Sequence, residues 1–103
     1  MNDTAAAAES GASFVPDQRW SVAGALTVDS AADVLVASED APLPETGVVS
    51  LSGLRAVDSA AVAVMLSWRR RSTAEGRKLV FADVPPNLVA LAELYGVEDL
   101  LDS

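Results

Sequence analysis

Two neighbouring residues, Asp58 and Ser59, carry most of the chemistry that this sequence offers. They stand where an apolar stretch, Val48-Val49-Ser50-Leu51-Ser52, gives way through Gly53-Leu54-Arg55-Ala56-Val57 to a run of helix-forming residues. A carboxylate or a hydroxyl at a helix opening can cap the unpaired backbone N–H groups of its first turn. A serine there is also a hydroxyl that can give and take one close contact with another molecule. The small residues Ala60 and Ala61 leave that turn uncovered, so a partner could approach closely. On spacing alone, a plain N-cap accounts for the pair without any function.

Catalysis by this pair is poorly supported. The 103 residues include no histidine and no cysteine. The commonest general base, Ser-His triads, thiol nucleophiles and Cys- or His-based metal sites are thereby excluded. A small enzyme with Asp58-Ser59 as nucleophile would have Lys78 as its only lysine. No Gly-x-x-x-x-Gly-Lys-Ser/Thr loop and no Gly-x-Gly-x-x-Gly turn occurs, so the chain is not itself expected to be an ATPase. Asp29, Asp33, Glu39 and Asp40 are scattered, and Glu93 and Tyr95 assemble with no base. No metal, cofactor or catalytic residue is implied.

The second candidate is Trp68-Arg69-Arg70-Arg71. Trp and Arg dominate interface energetics. Three consecutive positions cannot share one helix face, so at least one arginine should point outward beside Met65 or Trp68. The competing reading has Trp68 in the core and the arginines in solvent.

The elements that would hold these residues follow from pattern. Phe14-Val15 reads as a short edge strand, Pro16-Asp17 as a turn, and Arg19 to Ala23 as a strand broken by Gly24. Val28, Ala31, Ala32 and Leu35 fall at i, i+3, i+4 and i+7, one stripe of a helix capped by Thr27 or Asp29 and fading by Ser38. Residues 39–47 form a Pro- and Gly-containing loop, and Val48 to Ser52 a buried central strand bounded by Gly47 and Gly53. A helix then runs from Asp58 or Ser59 to about Glu75, where Gly76 ends it, and Ala60 to Leu66 are apolar all round. Lys78 to Ala82 is a further buried strand. The last helix opens near Pro86 or Asn87, with Leu88, Leu91, Ala92 and Tyr95 in one stripe and Gly96 as its stop. Val97, Leu100 and Leu101 fold back as a final turn. Short strands alternating with helices predict an α/β domain with parallel pairs.

Composition sets the class. Half of the residues are hydrophobic and only 5% are aromatic, enough for one modest core built from Val, Leu and Ala. Residues 1–12 lack bulky apolar side chains and read as a disordered tail; residues 13–103 form the domain. The net charge of -8 disfavours nucleic acid and broad attraction to anionic lipid. Six of the seven basic residues nevertheless lie between Arg55 and Lys78, which reads either as one locally basic surface or as a solvated helix end whose cations complement the helix dipole. No apolar run approaches the roughly 20 residues that span a bilayer. The acidic start lacks a basic leader region, and the expected address is the cytoplasm.

From about Trp20 to Leu101 the chain resembles the STAS domains, named for sulfate transporters and anti-sigma factor antagonists. The resemblance lies in VVSLSGLRAVDSAAVAVML, in GRKLVFADVPPNL, and in LVALAELYGVEDLL with its Leu-Tyr-Gly before the last apolar pair. That closing element is most similar to the MlaB branch, the STAS subunits of phospholipid transport complexes. The resemblance implies a four-stranded mixed β-sheet with three to four packed helices. It also implies that Ser59 matches the family's regulatory Ser or Thr. Family members often carry Gly soon after that residue, and here Ala60-Ala61 stand instead.

The function so implied is a non-catalytic regulatory or stabilising subunit on the cytoplasmic ATPase of an ABC-type phospholipid transporter, held at the inner membrane only through that partner. The contact would involve Asp58, Ser59, Ala60, Val62, Ala63, Met65, Arg69 and Arg70. The alternative is an anti-sigma factor antagonist phosphorylated on Ser59 by an anti-sigma kinase. Neither reading involves nucleic acid or direct membrane insertion, and a homodimer of the isolated module stays open.

Overall fold

The computed structural model describes residues 13–14 and 20–102. The tail expected over residues 1–12, the Pro16-Asp17 turn, Val15 and Arg19 lie outside them. Three parallel strands make the sheet: β2 (Trp20–Leu26), β3 (Val48–Val57) and β4 (Val80–Ala82), with β3 in the middle. A two-residue strand β1 (Ser13–Phe14) lies antiparallel along β2, with Phe14 opposite Trp20. Helices α1 (Ala31–Glu39), α2 (Ser59–Ala74), α3 (Pro86–Leu94) and the single turn α4 (Asp99–Asp102) complete the domain. Each parallel pair is joined through a helix, as the alternating sequence requires.

Both glycines expected to end strands lie inside them. β2 continues through Gly24 to Leu26, and β3 through Gly53 to Val57. Gly24 has φ of 80° and sits where the β2–β3 register shifts between Gly24 and Ala25. Only glycine adopts that conformation without strain, so here it carries an irregularity rather than a stop. Gly53 is needed for a different reason. A Cβ at this position would lie 2.5 Å from the Cβ of Ala23 across the strand pair.

The core is sealed by Trp20 and Trp68, whose rings meet edge to face with centroids 5.5 Å apart. Val22, Leu26, Val49, Leu51, Leu54 and Phe81 from the strands pack with Val34, Ala61, Val64, Met65 and Leu88 from the helices. α2 is buried on more than one side, as its apolar opening predicts: Ala61, Val62, Val64 and Met65 all face the core. It stops at Gly76, with φ of 68°, as expected.

α1 departs from its predicted stripe. The helix begins at Ala31 rather than near Thr27, and residues 27–30 form a turn. Ser30 occupies the N-cap position. Its Oγ accepts the Thr27 N–H at 3.0 Å and donates to the Ala25 carbonyl at 2.9 Å, tying the turn to the end of β2. Val28 is thrown out of the helix and is 74% exposed, and Ala32 is exposed as well. The buried positions are Val34 and Ser38, with Ala31 and Leu35 packed beside them. Ser38 is inside because its Oγ accepts the Trp68 indole N–H at 2.9 Å and donates to the Leu35 carbonyl at 2.8 Å. A buried hydroxyl is tolerable when it is hydrogen-bonded.

α3 carries Pro86 in its first turn, as a helix opening favours. Leu88 and Ala92 are buried and Leu91 is packed against the core. Tyr95, the fourth position of the predicted stripe, is instead the C-cap residue and is exposed. Leu100 of α4 turns back into the core as expected.

Candidate functional site

The site is built on the passage from β3 into α2. Asp58 leaves the strand in extended backbone, with φ of -143°, and the helix starts at Ser59. Both oxygens of the Asp58 carboxylate are engaged. Oδ1 accepts the Ala60 N–H at 2.8 Å, which makes Asp58 the N-cap. Oδ2 accepts the Val28 N–H at 3.0 Å, from the turn between β2 and α1. The cap is thus also a strut: it holds a second loop against the helix opening, and it spends both acceptors on backbone.

Ser59 is left free by this arrangement. It is exposed, and its hydroxyl makes no hydrogen bond with another described residue. Capping and contact are therefore divided between the two neighbours: Asp58 caps and Ser59 is available. Ala60 is half-buried, and Ala63, one turn further along the helix, is exposed. Arg70 is exposed on the same side, since steps of 4, 3 and 4 residues lead from Ser59 through Ala63 and Leu66 to Arg70. Ser59, Ala63 and Arg70 thus share one outward stripe of α2.

Three of the expected contact residues stand elsewhere. Val62 and Met65 are 5% and 0% exposed and face the core, so their side chains offer nothing to a partner. The apolar run of α2 left its outward face undetermined in the sequence, and the sheet and neighbouring helices take these positions. Arg69 turns towards α4, where its Nη2 donates to the Leu100 carbonyl at 2.9 Å and its guanidinium lies over the Phe81 ring. Trp68 is buried, in line with the core reading. Arg71 is also structural. It donates to the carbonyls of Ser38 and Ala41 at 3.0 and 2.6 Å, pairs with Glu75 at 3.0 Å, and stacks over Trp20. Only Arg70 of the three arginines points into solvent.

Val28 was missed as a site residue. It is a large, exposed apolar side chain whose own amide is locked onto Asp58, so it flanks the opening of α2. Reading Thr27-Val28-Asp29-Ser30 as a turn capped by Ser30 would have exposed it. Among the described residues no group of three or more carboxylates gathers as a metal site would require.

An exposed serine stands where a parallel strand enters a helix, on a three-stranded parallel sheet with helices packed on it. The α/β plan agrees with the motif resemblance, while the four-stranded mixed sheet it implies is approached only through the two-residue β1. The family model for MlaB-type STAS domains matches residues 16–102. The chain belongs to the STAS family, on its MlaB-like branch. No curated protein matches it. STAS membership supports a regulatory or transport-associated role, and STAS domains are generally non-catalytic. No helix among the described residues is long and apolar enough to cross a membrane.

Proposed function

We propose that this STAS domain is a non-catalytic subunit that docks on the ATPase of an ABC-type phospholipid transporter through the face opened by Asp58 and Ser59. The reading rests on one observation above all. The Ser59 hydroxyl is exposed and uncommitted on a helix opening whose capping is done entirely by Asp58. Small neighbours, Ala60 and Ala63, allow a partner's backbone to come close there, with Val28 on one flank and Arg70 further along the stripe. The domain acts by binding one arrangement of the ATPase more tightly than another, since only differential affinity shifts a conformational equilibrium. That partner holds it at the inner membrane.

The same serine supports a second reading, an anti-sigma factor antagonist switched by phosphorylation. A phosphoserine brings about -1.5 to -2 charges. At the positive end of the α2 dipole that charge is tolerated within the domain. Against a packed partner, beside Asp58, it meets a like charge and must be desolvated, so the complex opens while the domain stays folded.

Affinity purification from the native cell separates the two. Recovery of an ATPase together with its permease supports the first reading, and a kinase-like anti-sigma factor the second. A pure homodimer with no other partner would count against both. Equal partner affinity of the wild type, Ser59→Ala and Ser59→Asp would remove Ser59 from either mechanism.

A further inference from the structure

The opposite end of α2 holds an open cleft of about 250 Å³ lined by Arg69, Ser72, Thr73, Arg77, Lys78 and Leu79. It lies roughly 20 Å along the helix axis from Ser59. Three cations border it and no carboxylate does, in a chain with fifteen Asp and Glu and a net charge of -8. None of the three is ion-paired with a described residue. Like charges brought together repel, and a protein with acids to spare has not used one to neutralise them here.

Two of the cations are fixed in place from behind. Arg69 gives one nitrogen to the Leu100 carbonyl at 2.9 Å and rests over Phe81 at 5.6 Å. Arg77 gives one nitrogen to the Pro44 carbonyl at 2.7 Å. Each guanidinium has five N–H donors, so anchoring by one nitrogen orients the group and leaves others available. Lys78 and Thr73 are exposed and add an ammonium and a hydroxyl. The carbonyls of the two cleft-lining residues near the end of α2 are hydrogen-bonded within the fold: Ser72 O accepts the Arg77 N–H and Thr73 O the Gly76 N–H.

We infer that this cleft binds a phosphate group, with the two guanidiniums and the Lys78 ammonium as its charge partners. Two or more fixed cations suit a dianion better than a single carboxylate, and Arg and Lys are the usual phosphate ligands. The shared chemistry admits a free phosphate or a phosphomonoester lipid headgroup. The site is independent of Ser59 and of the docking face.

The test uses the full chain. Amide chemical shifts are followed by NMR during titration with inorganic phosphate at constant ionic strength, chloride being the exchanged anion. In parallel, flotation is measured with phosphatidylcholine vesicles with and without phosphatidic acid. Lys78→Gln removes an exposed cation without touching a hydrogen bond that the fold uses, and Arg55→Gln removes an exposed cation elsewhere. Saturable shifts confined to Ser72 through Leu79, weakened about tenfold by Lys78→Gln and unchanged by Arg55→Gln, support a phosphate site. If vesicles containing phosphatidic acid also float the wild type but not Lys78→Gln, the ligand is a lipid headgroup; without flotation it is a free phosphate compound. Shifts that do not saturate, that chloride reproduces, or that both variants weaken alike overturn the site, as does the absence of binding in both arms. Ser59→Asp should leave every one of these readings unchanged, so the cleft stands or falls separately from the docking proposal.

Discussion

The Asp58 carboxylate accepts the backbone N–H of Val28 at 3.0 Å, thirty residues away in the chain, while its other oxygen caps α2. One side chain therefore fixes both the helix opening and the turn beside it. Ser59 is presented between them by a frame that does not use its hydroxyl.

Asp58→Ala should accordingly cost more than a lost cap. An N-cap to alanine change costs about 1 kcal/mol. The Val28 hydrogen bond adds a further contribution, reduced because the site is partly exposed. The expected loss is about 2 kcal/mol in urea unfolding. Asp58→Asn keeps one acceptor oxygen and should lose less. Amide exchange of Val28 should accelerate in the alanine variant; unchanged exchange there would mean that the strut carries no weight.

Ser59→Asp should separate stability from binding. An added negative charge in the first turn interacts favourably with the helix dipole, by about 0.3–1 kcal/mol at an exposed position. Adjacent Asp58 offsets part of that gain. The free energy of unfolding from urea denaturation should stay within about 0.5 kcal/mol of wild type, while affinity for the partner falls. A clear loss of stability would show the hydroxyl to be part of the fold, not of an interface.

Ser38 and Trp68 make the next prediction. Ser38→Ala removes the oxygen that accepts the Trp68 indole N–H in the core, and should cost about 1–3 kcal/mol. In a double-mutant cycle with Trp68→Phe, the two losses should be less than additive, since either change alone removes the same bond. Simple additivity of the two would show that the bond contributes nothing to stability.

These relationships explain what could and could not be read from the chain. The opening of β3 and the helices α2 and α3 were legible because their signals are local: the apolar Val48-Val49-Ser50-Leu51 segment, and apolar stretches ended by Gly76 and Gly96. The α1 face was not, because one of its two buried positions is Ser38. A serine reads as surface until its partner is known, and that partner is Trp68, thirty residues on. Gly24 and Gly53 read as strand breakers because the demand for glycine comes from the neighbouring strand. At the site itself, Asp58-Ser59 as a helix opening was legible from residue types alone. The division of labour between cap and free hydroxyl was not, since it depends on where the Asp58 carboxylate points. Val62 and Met65 cannot be assigned to the core from sequence, because an all-apolar helix does not declare its outward side.

Gly53 offers the sharpest check on the sheet that positions Ser59. In Gly53→Ala the new methyl would stand 2.5 Å from the Ala23 Cβ, closer than two carbons can approach. Neither atom can rotate away, because both are fixed to backbone, so β2 and β3 must part locally. Overpacking of this kind costs about 1–3 kcal/mol. The worst contact is with the Ala23 methyl, and the Ala23 Cα at 3.1 Å remains, so Ala23→Gly should restore part of the loss in the double variant, less a smaller penalty for a second strand glycine. Urea denaturation of the wild type, the two single variants and the pair would decide the point. If the double variant is no more stable than Gly53→Ala, the strands do not approach as closely as described, and the path of β3 from Gly53 to Asp58 must be different.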